Sequence, residues 1–123
     1  RSMLNALITL DDLGYPIAYN GQQIHGVKGT IRVDNNQVSI ERVTGLLDSG
    51  AFTVEGRAML ENMKPSRMDL HLHAMKLPIV VPDTMDISVD GDMELKADRK
   101  RSSIEADLAL VEGTYYRDVE VNS

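Results

Sequence analysis

The chain has 123 residues, 42% of them apolar and 26% charged, a balance that fits a folded domain and excludes a disordered one. Its formal net charge of −6 disfavours binding to a phosphate backbone, so nucleic acid is not an expected partner. It has no cysteine, which excludes disulfides, thiol catalysis and cysteine-ligated zinc. With no Trp, one Phe and four Tyr, its apolar surface must be built from aliphatic residues and seven Met.

From the N-terminus, Arg1-Ser2-Met3 leads almost at once into a strand pattern with no visible signal peptide, and an excised fragment of a longer β protein is expected. A single β domain over 1–123 is the expected organisation. No stretch approaches the ~20 apolar residues of a membrane-crossing helix. Alternation of apolar and polar residues dominates the rest of the chain, and in a strand successive side chains point to opposite faces. Leu4–Leu10 is a first short candidate. Val27, Gly29, Ile31 and Val33 then oppose Lys28, Thr30, Arg32 and Asp34. Val38–Val43 is another short candidate. Phe52, Val54, Gly56, Ala58 and Leu60 oppose Thr53, Glu55, Arg57 and Met59, and Met68, Leu70, Leu72 and Ala74 oppose Asp69, His71 and His73. The longest run sets Met85, Ile87, Val89, Gly91, Met93, Leu95 and Ala97 against Asp86, Ser88, Asp90, Asp92, Glu94, Lys96 and Asp98. Ile104, Ala106, Leu108 and Leu110 oppose Glu105 and Asp107, and Thr114–Val121 is a last candidate.

Turn residues separate these segments at Asp34–Asn36, Asp48–Gly50, Asn62–Ser66 and Asp98–Ser103. Links this short join antiparallel neighbours, because parallel strands need crossovers of a dozen residues or more. The expected fold is therefore all-β, an antiparallel meander of amphipathic strands. Gly45–Leu47 and Asp11–Tyr15 have room for a short helical turn. Leu77–Pro82 is apolar but bracketed by prolines, which remove backbone donors, so it is expected to be a loop over the end of the core and not a central strand. Gly29, Gly56 and Gly91 each interrupt the apolar face in mid-strand, a weak internal repeat that points to a bend or a close approach.

Catalytic patterns are absent. No Gly-x-Ser-x-Gly elbow and no phosphate-cradling loop with its Lys is present. His71-x-His73 beside Asp69 would need a third ligand, from His25 or a carboxylate, before it could hold a metal, and reads as a solvated strand face. Asp86-x-Ser88-x-Asp90-Gly91 has the opening of a calcium loop but Ala97 where that loop needs Glu. Acidic pairs such as Asp11-Asp12 lie in turns or on the wet face, where carboxylates have little catalytic use. The basic Arg99-Lys100-Arg101 reads as a solvated hairpin turn, with contact to anionic lipid headgroups as the sharper alternative. No enzyme, cofactor or metal is expected.

Three phrases carry a family resemblance. Leu47-Asp48-Ser49-Gly50-Ala51-Phe52-Thr53-Val54-Glu55-Gly56 is similar to a recurring turn-and-strand phrase of the TamB/AsmA-like proteins, apart from Ser49 where that family often has a second Gly. Val89-Asp90-Gly91-Asp92-Met93-Glu94-Leu95 resembles another, and Asp107–Tyr115 resembles a third; Gly29–Asn35 fits as well. The resemblance implies a protein that spans the periplasm of a diderm bacterium, anchored in the inner membrane, with sheets folded into a taco-like apolar groove. It implies an outer-membrane β-barrel assembly factor of the TamA type as partner, a role in outer-membrane biogenesis, and phospholipid passage along the groove. It carries no catalytic residue. Ile31, Val54, Leu60, Leu70, Leu72, Val89, Met93, Leu95, Leu108 and Leu110 are the expected groove-lining residues. A closed β-sandwich serving as an adhesion or assembly module would need the same alternation.

Overall fold

The structure is a computed structural model and describes residues 5–115. They form strands β1 (Asn5–Pro16), β2 (Gln23–Asp34), β3 (Gln37–Leu47), β4 (Gly50–Glu61), β5 (Lys64–Val81), β6 (Met85–Asp98) and β7 (Ser102–Tyr115). All seven lie in one sheet in chain order, each antiparallel to its neighbour. The sheet is open, with β1 and β7 as its edges. The last candidate strand, Thr114–Val121, continues outside the described residues after Tyr115.

Tight turns make the meander. Asn62 and Met63 both have positive φ, 53° and 65°, the type I′ geometry whose twist matches that of the flanking strands. The β2–β3 and β3–β4 turns have Asn35 at 56° and Asp48 at 52°, left-handed positions that Asn and Asp tolerate better than most residues. The β4–β5 turn is shorter than expected, because Lys64 and Pro65 already pair with β4 and Ser66 is an extra residue within β5.

The strands are longer than the alternation suggests, and β-bulges explain why. Leu10 pairs with Gly29 and Leu13 with Val27, so β1 has one residue more than β2 between them, and Asp12 takes a φ of 59°. On β3, Ile40 pairs with Gly56 and Val43 with Val54. On β5, Ala74 pairs with Gly91 and Leu77 with Val89, with Lys76 at a φ of 49°. An extra residue lets side chains three apart share a face. Leu10/Leu13, Ile40/Val43 and Ala74/Leu77 thus have helix-like spacing inside continuous strands. The helical turns expected at Asp11–Tyr15 and Gly45–Leu47 are accordingly strand.

The same shift corrects the reading of Leu77–Pro82. Leu77 to Val81 is strand, paired with β6 from Val89 to Met85, and the turn begins at Pro82. Pro78 is tolerated because β4 has ended by this point. The Pro78 carbonyl points away from β6 toward a side chain, and in an antiparallel strand the nitrogen of the same residue points the same way. The missing donor therefore interrupts no ladder.

Strands β1, β3 and β5, bulged in mid-strand, alternate with strands β2, β4 and β6 that carry the mid-strand glycines, β2 having its own bulge nearer its start at Gly26. Gly56 and Gly91 have φ of 155° and 142°, and Gly29 repeats the conformation. A Cβ at Gly56 would run into the carbonyl of Asp69 and the Cα of Leu70, and one at Gly91 into the carbonyl of Asp107 and the Cα of Leu108. The space a side chain would need is taken by the backbone of the next strand. The weak sequence repeat thus has a structural unit, a bulged strand followed by a glycine strand.

Candidate functional site

The apolar residues fall into rows that cross the sheet. Ile8, Ile31, Ile40, Gly56, Leu70, Leu95 and Ile104 are successive partners from β1 to β7. Leu10, Gly29, Val43, Val54, Leu72, Met93 and Ala106 form the next row. Beyond it, Phe52, Ala74, Gly91 and Leu108 line up, and then Leu77, Val89 and Leu110. Directly paired residues share a face, so the expected lining residues all lie on one side of the sheet, Leu60 by its parity with Val54.

Their burial differs by strand. Val89 is buried at 8% exposure beside Ala74 and Leu77, with Leu47, Phe52, Leu72, Ile79 and Ile87 packed round that cluster. Ile31, Val54, Leu60, Leu70, Leu72, Met93 and Leu95 are half-buried. Leu108 and Leu110, on edge strand β7, are 41% and 56% exposed. Among the described residues no large side chain is fully buried and no second layer covers the face.

At one end of the sheet the β1–β2 connection reaches past the β3–β4 turn to the free edge of β5. Gln22 is buried there at 4% exposure. Its amide nitrogen donates to the Pro78 carbonyl at 2.7 Å and to Asp48 Oδ2 at 3.1 Å. Its amide oxygen accepts from the Val80 N–H at 3.2 Å and from Asn20 Nδ2 at 2.7 Å. Asn20 Nδ2 also donates to the Val80 carbonyl at 3.1 Å. A carboxamide is a peptide group without a chain, and here it takes the place of the strand that β5 lacks beyond β4. All four of its hydrogen-bonding positions are used, which removes the cost of burying it. Sequence reasoning missed Gln22. Apart from Asn20, its partners are 26 to 58 residues away, and no local pattern marks it.

The opposite face is polar. His71 Nε2 and His73 Nδ1 both approach Asp92 Oδ1 at 2.9 Å, across the β5–β6 ladder. These bonds, from His73 first and His71 second, hold the Asp92 carboxyl below the usual carboxylate range. His71 Nδ1 lies 3.6 Å from Glu94. His25 stands elsewhere, its Nε2 2.8 Å from the Asp48 carbonyl. Among the described residues no group of three His, Cys, Asp or Glu is arranged to hold a metal ion. An open depression of about 920 Å³ is lined mostly by residues of this face, Ser39, Glu41, Glu55, Arg57, Asp69 and His71 among them. Its charges are of both signs, and it gives no catalytic constellation.

At the end remote from Gln22, Arg99 pairs with Glu61. The Asp98 carboxylate accepts from the backbone N–H groups of Lys100 at 2.8 Å and Arg101 at 3.0 Å. These bonds, with Arg101 and Arg67 nearby, lower its pKa.

No helix among the described residues is long and apolar enough to cross a membrane. No curated protein and no solved structure matches the chain. The family model of the TamB C-terminal domain matches residues 41–120, from the bulge of β3 through β7. That is more than half of the chain, which therefore belongs to the TamB family, bacterial envelope proteins of outer-membrane assembly that are associated in general with TamA and are not a known enzyme family.

Proposed function

We propose that this chain is a segment of a longer periplasmic protein whose apolar sheet face shields or conducts phospholipid acyl chains between the inner and outer membranes. The observation that supports this most is the set of unbroken apolar rows with no second layer over them among the described residues. Aliphatic side chains suit acyl chains because they make no directional demand, and the half-buried Met68, Met85 and Met93 on this face adapt to variable shapes. In this reading the lining residues are Ile31, Val54, Leu60, Leu70, Leu72, Val89, Met93, Leu95, Leu108 and Leu110. The parent protein is anchored in the inner membrane and works with an outer-membrane β-barrel of the TamA type. The chain performs no catalysis. A closed sandwich is less well supported, because the described strands form one sheet whose edges β1 and β7 do not pair.

A photo-crosslinking residue tests the reading. Placed at Leu72 or Leu95 it should capture phospholipid, and placed at Thr53 or His73 on the polar face it should not. Equal capture from both faces, or none from either, would overturn it.

A further inference from the structure

The turns at the two ends of the sheet differ in charge. The end that holds Gln22 has turns of Ile17–Gln22, Asp48-Ser49 and Pro82–Thr84, none with Lys or Arg, and Asp48, Asp83 and Asp86 cluster in and beside them. The other end has turns of Asn35-Asn36, Asn62-Met63 and Arg99–Arg101, flanked by Lys64 and Arg67 and by Asp34, Glu61 and Asp98. Arg67 is the register partner of Asp98, and Arg99 pairs with Glu61, so the β4–β5 and β6–β7 turns form one patch. Glu61 and Asp98 are the acidic groups in that patch. Among the described residues the side chains of Lys64, Arg67, Lys100 and Arg101 form no ion pair.

The apolar face runs to the edge of this patch. Leu60, Met68 and Leu95 approach it on β4, β5 and β6, Ile104 is 67% exposed on β7, and Met63 is 75% exposed at the turn itself. Although Lys64 and Arg67 share the polar side with their register partners Glu61 and Asp98, an apolar face that ends at turns carrying cations without an ion-pair partner among the described residues complements one chemical class, a molecule with aliphatic chains and an anionic head. Resting on the acyl-chain reading above, we propose that the basic end of the sheet is a headgroup site that selects anionic phospholipids, with Lys64, Lys100 and Arg101 meeting the phosphate. The overall charge of −6 does not oppose this. A strand the length of β6, 14 residues, spans roughly 45 Å at about 3.3 Å per residue. That is several times the Debye length of about 8 Å at physiological salt. The acidic end is therefore screened from the basic one.

Titrating the 123-residue chain with short-chain phospholipids below their micelle concentration, followed by calorimetry, tests the site. Dioctanoyl phosphatidylglycerol should bind about ten-fold more tightly than dioctanoyl phosphatidylcholine, and the ratio should shrink as salt is raised. In the triple variant Lys64→Gln, Lys100→Gln, Arg101→Gln the ratio should fall to about one, with phosphatidylglycerol losing more affinity than phosphatidylcholine. In the control triple Lys28→Gln, Arg42→Gln, Lys76→Gln, with the same change in charge, the ten-fold ratio should persist. Equal affinity of the parent for the two lipids, or loss of the ratio in both triples, overturns the headgroup site and leaves the acyl-chain reading standing. Tight binding of glycerophosphoglycerol, which has the head but no chains, overturns it in favour of a simple phosphate site. Failure of the parent to bind either lipid removes the acyl-chain reading itself.

Discussion

At one end of the sheet a buried carboxamide joins three connections that are distant in sequence. At the other, each hairpin closes on its own short turn and several cations have no ion-pair partner among the described residues. The first end is held by long-range hydrogen bonds that exist only when β1–β2, β3–β4 and β5 are all in place. The second is held mainly by local turn geometry, which each hairpin supplies for itself, with the exposed Arg99–Glu61 pair and the Leu60 N–H to Asn36 carbonyl bond as links between hairpins. Structural cost should therefore concentrate at the Gln22 end, and freedom to change side chains at the basic end.

The largest effect should come from Gln22→Leu. It leaves the Pro78 carbonyl, the Val80 N–H and one Asp48 oxygen without their partner, and where a group stranded in this way is buried the cost is about 1–3 kcal/mol, less for these half-buried ones. A drop in urea stability of about 3 kcal/mol is expected, with faster hydrogen exchange at Val80. An unchanged midpoint would mean that the two ends do not differ in this way.

Gly91→Val, between the ends, should come next at about 1–3 kcal/mol, from overpacking against β7 and an unfavourable φ. Asp92→Val, one residue away on the polar face, removes a carboxylate that two histidines share but creates no clash, and should cost less. If the two changes cost the same, close packing of glycine against the next strand is not what constrains the apolar face.

A smaller effect is expected from acid. The Asp98 carboxyl titrates below its unfolded value, so its contribution to stability is complete above a pH of about 4 and is lost as pH falls through the lowered folded value. Asp92 shifts in the same direction. In Asp98→Asn the fall in urea midpoint between neutral and strongly acidic pH should be shallower than in the parent, by an amount that disappears in high salt only in part, because the backbone hydrogen bonds persist. An identical fall in the two proteins would refute this.

The smallest effect belongs to the cations. The triple change Lys64→Gln, Lys100→Gln, Arg101→Gln should leave the urea midpoint where it was, since exposed substitutions away from packed features are close to neutral. A large loss would show that the basic end is structural after all, and the contrast between the ends would collapse.

Strands β2, β4 and β6 are legible in the sequence because period-two alternation is a local property. Even register over Val27–Val33, Phe52–Leu60 and Met85–Ala97 leaves these runs uninterrupted, the bulge of β2 at Gly26 falling before its run. Strands β1, β3 and β5 are harder to read, because in each an extra residue changes the spacing of apolar side chains from two to three at Leu10/Leu13, Ile40/Val43 and Ala74/Leu77. That spacing is shared by helices, so turn chemistry and prolines weigh too heavily in a local reading there. The apolar residues proposed as lining are legible as one face, but their unequal burial is not. Val89 is covered and Leu110 open because β6 is interior and β7 is an edge, and strand order is not a property of either segment.

By itself the sequence determined the all-β class, the antiparallel connectivity, the sidedness of each strand and the positions where glycine is required. These are consequences of side-chain alternation, short turns and local backbone preference, all set within a few residues. Only the tertiary structure decided that β5 continues through Pro78 and that Gln22 stands in for its missing neighbour. It also decided that Arg67, Arg99 and Arg101 gather at one end while Asp48, Asp83 and Asp86 gather at the other. Those outcomes depend on register, because pairing one strand against the next is what brings residues tens of positions apart to the same edge of the sheet.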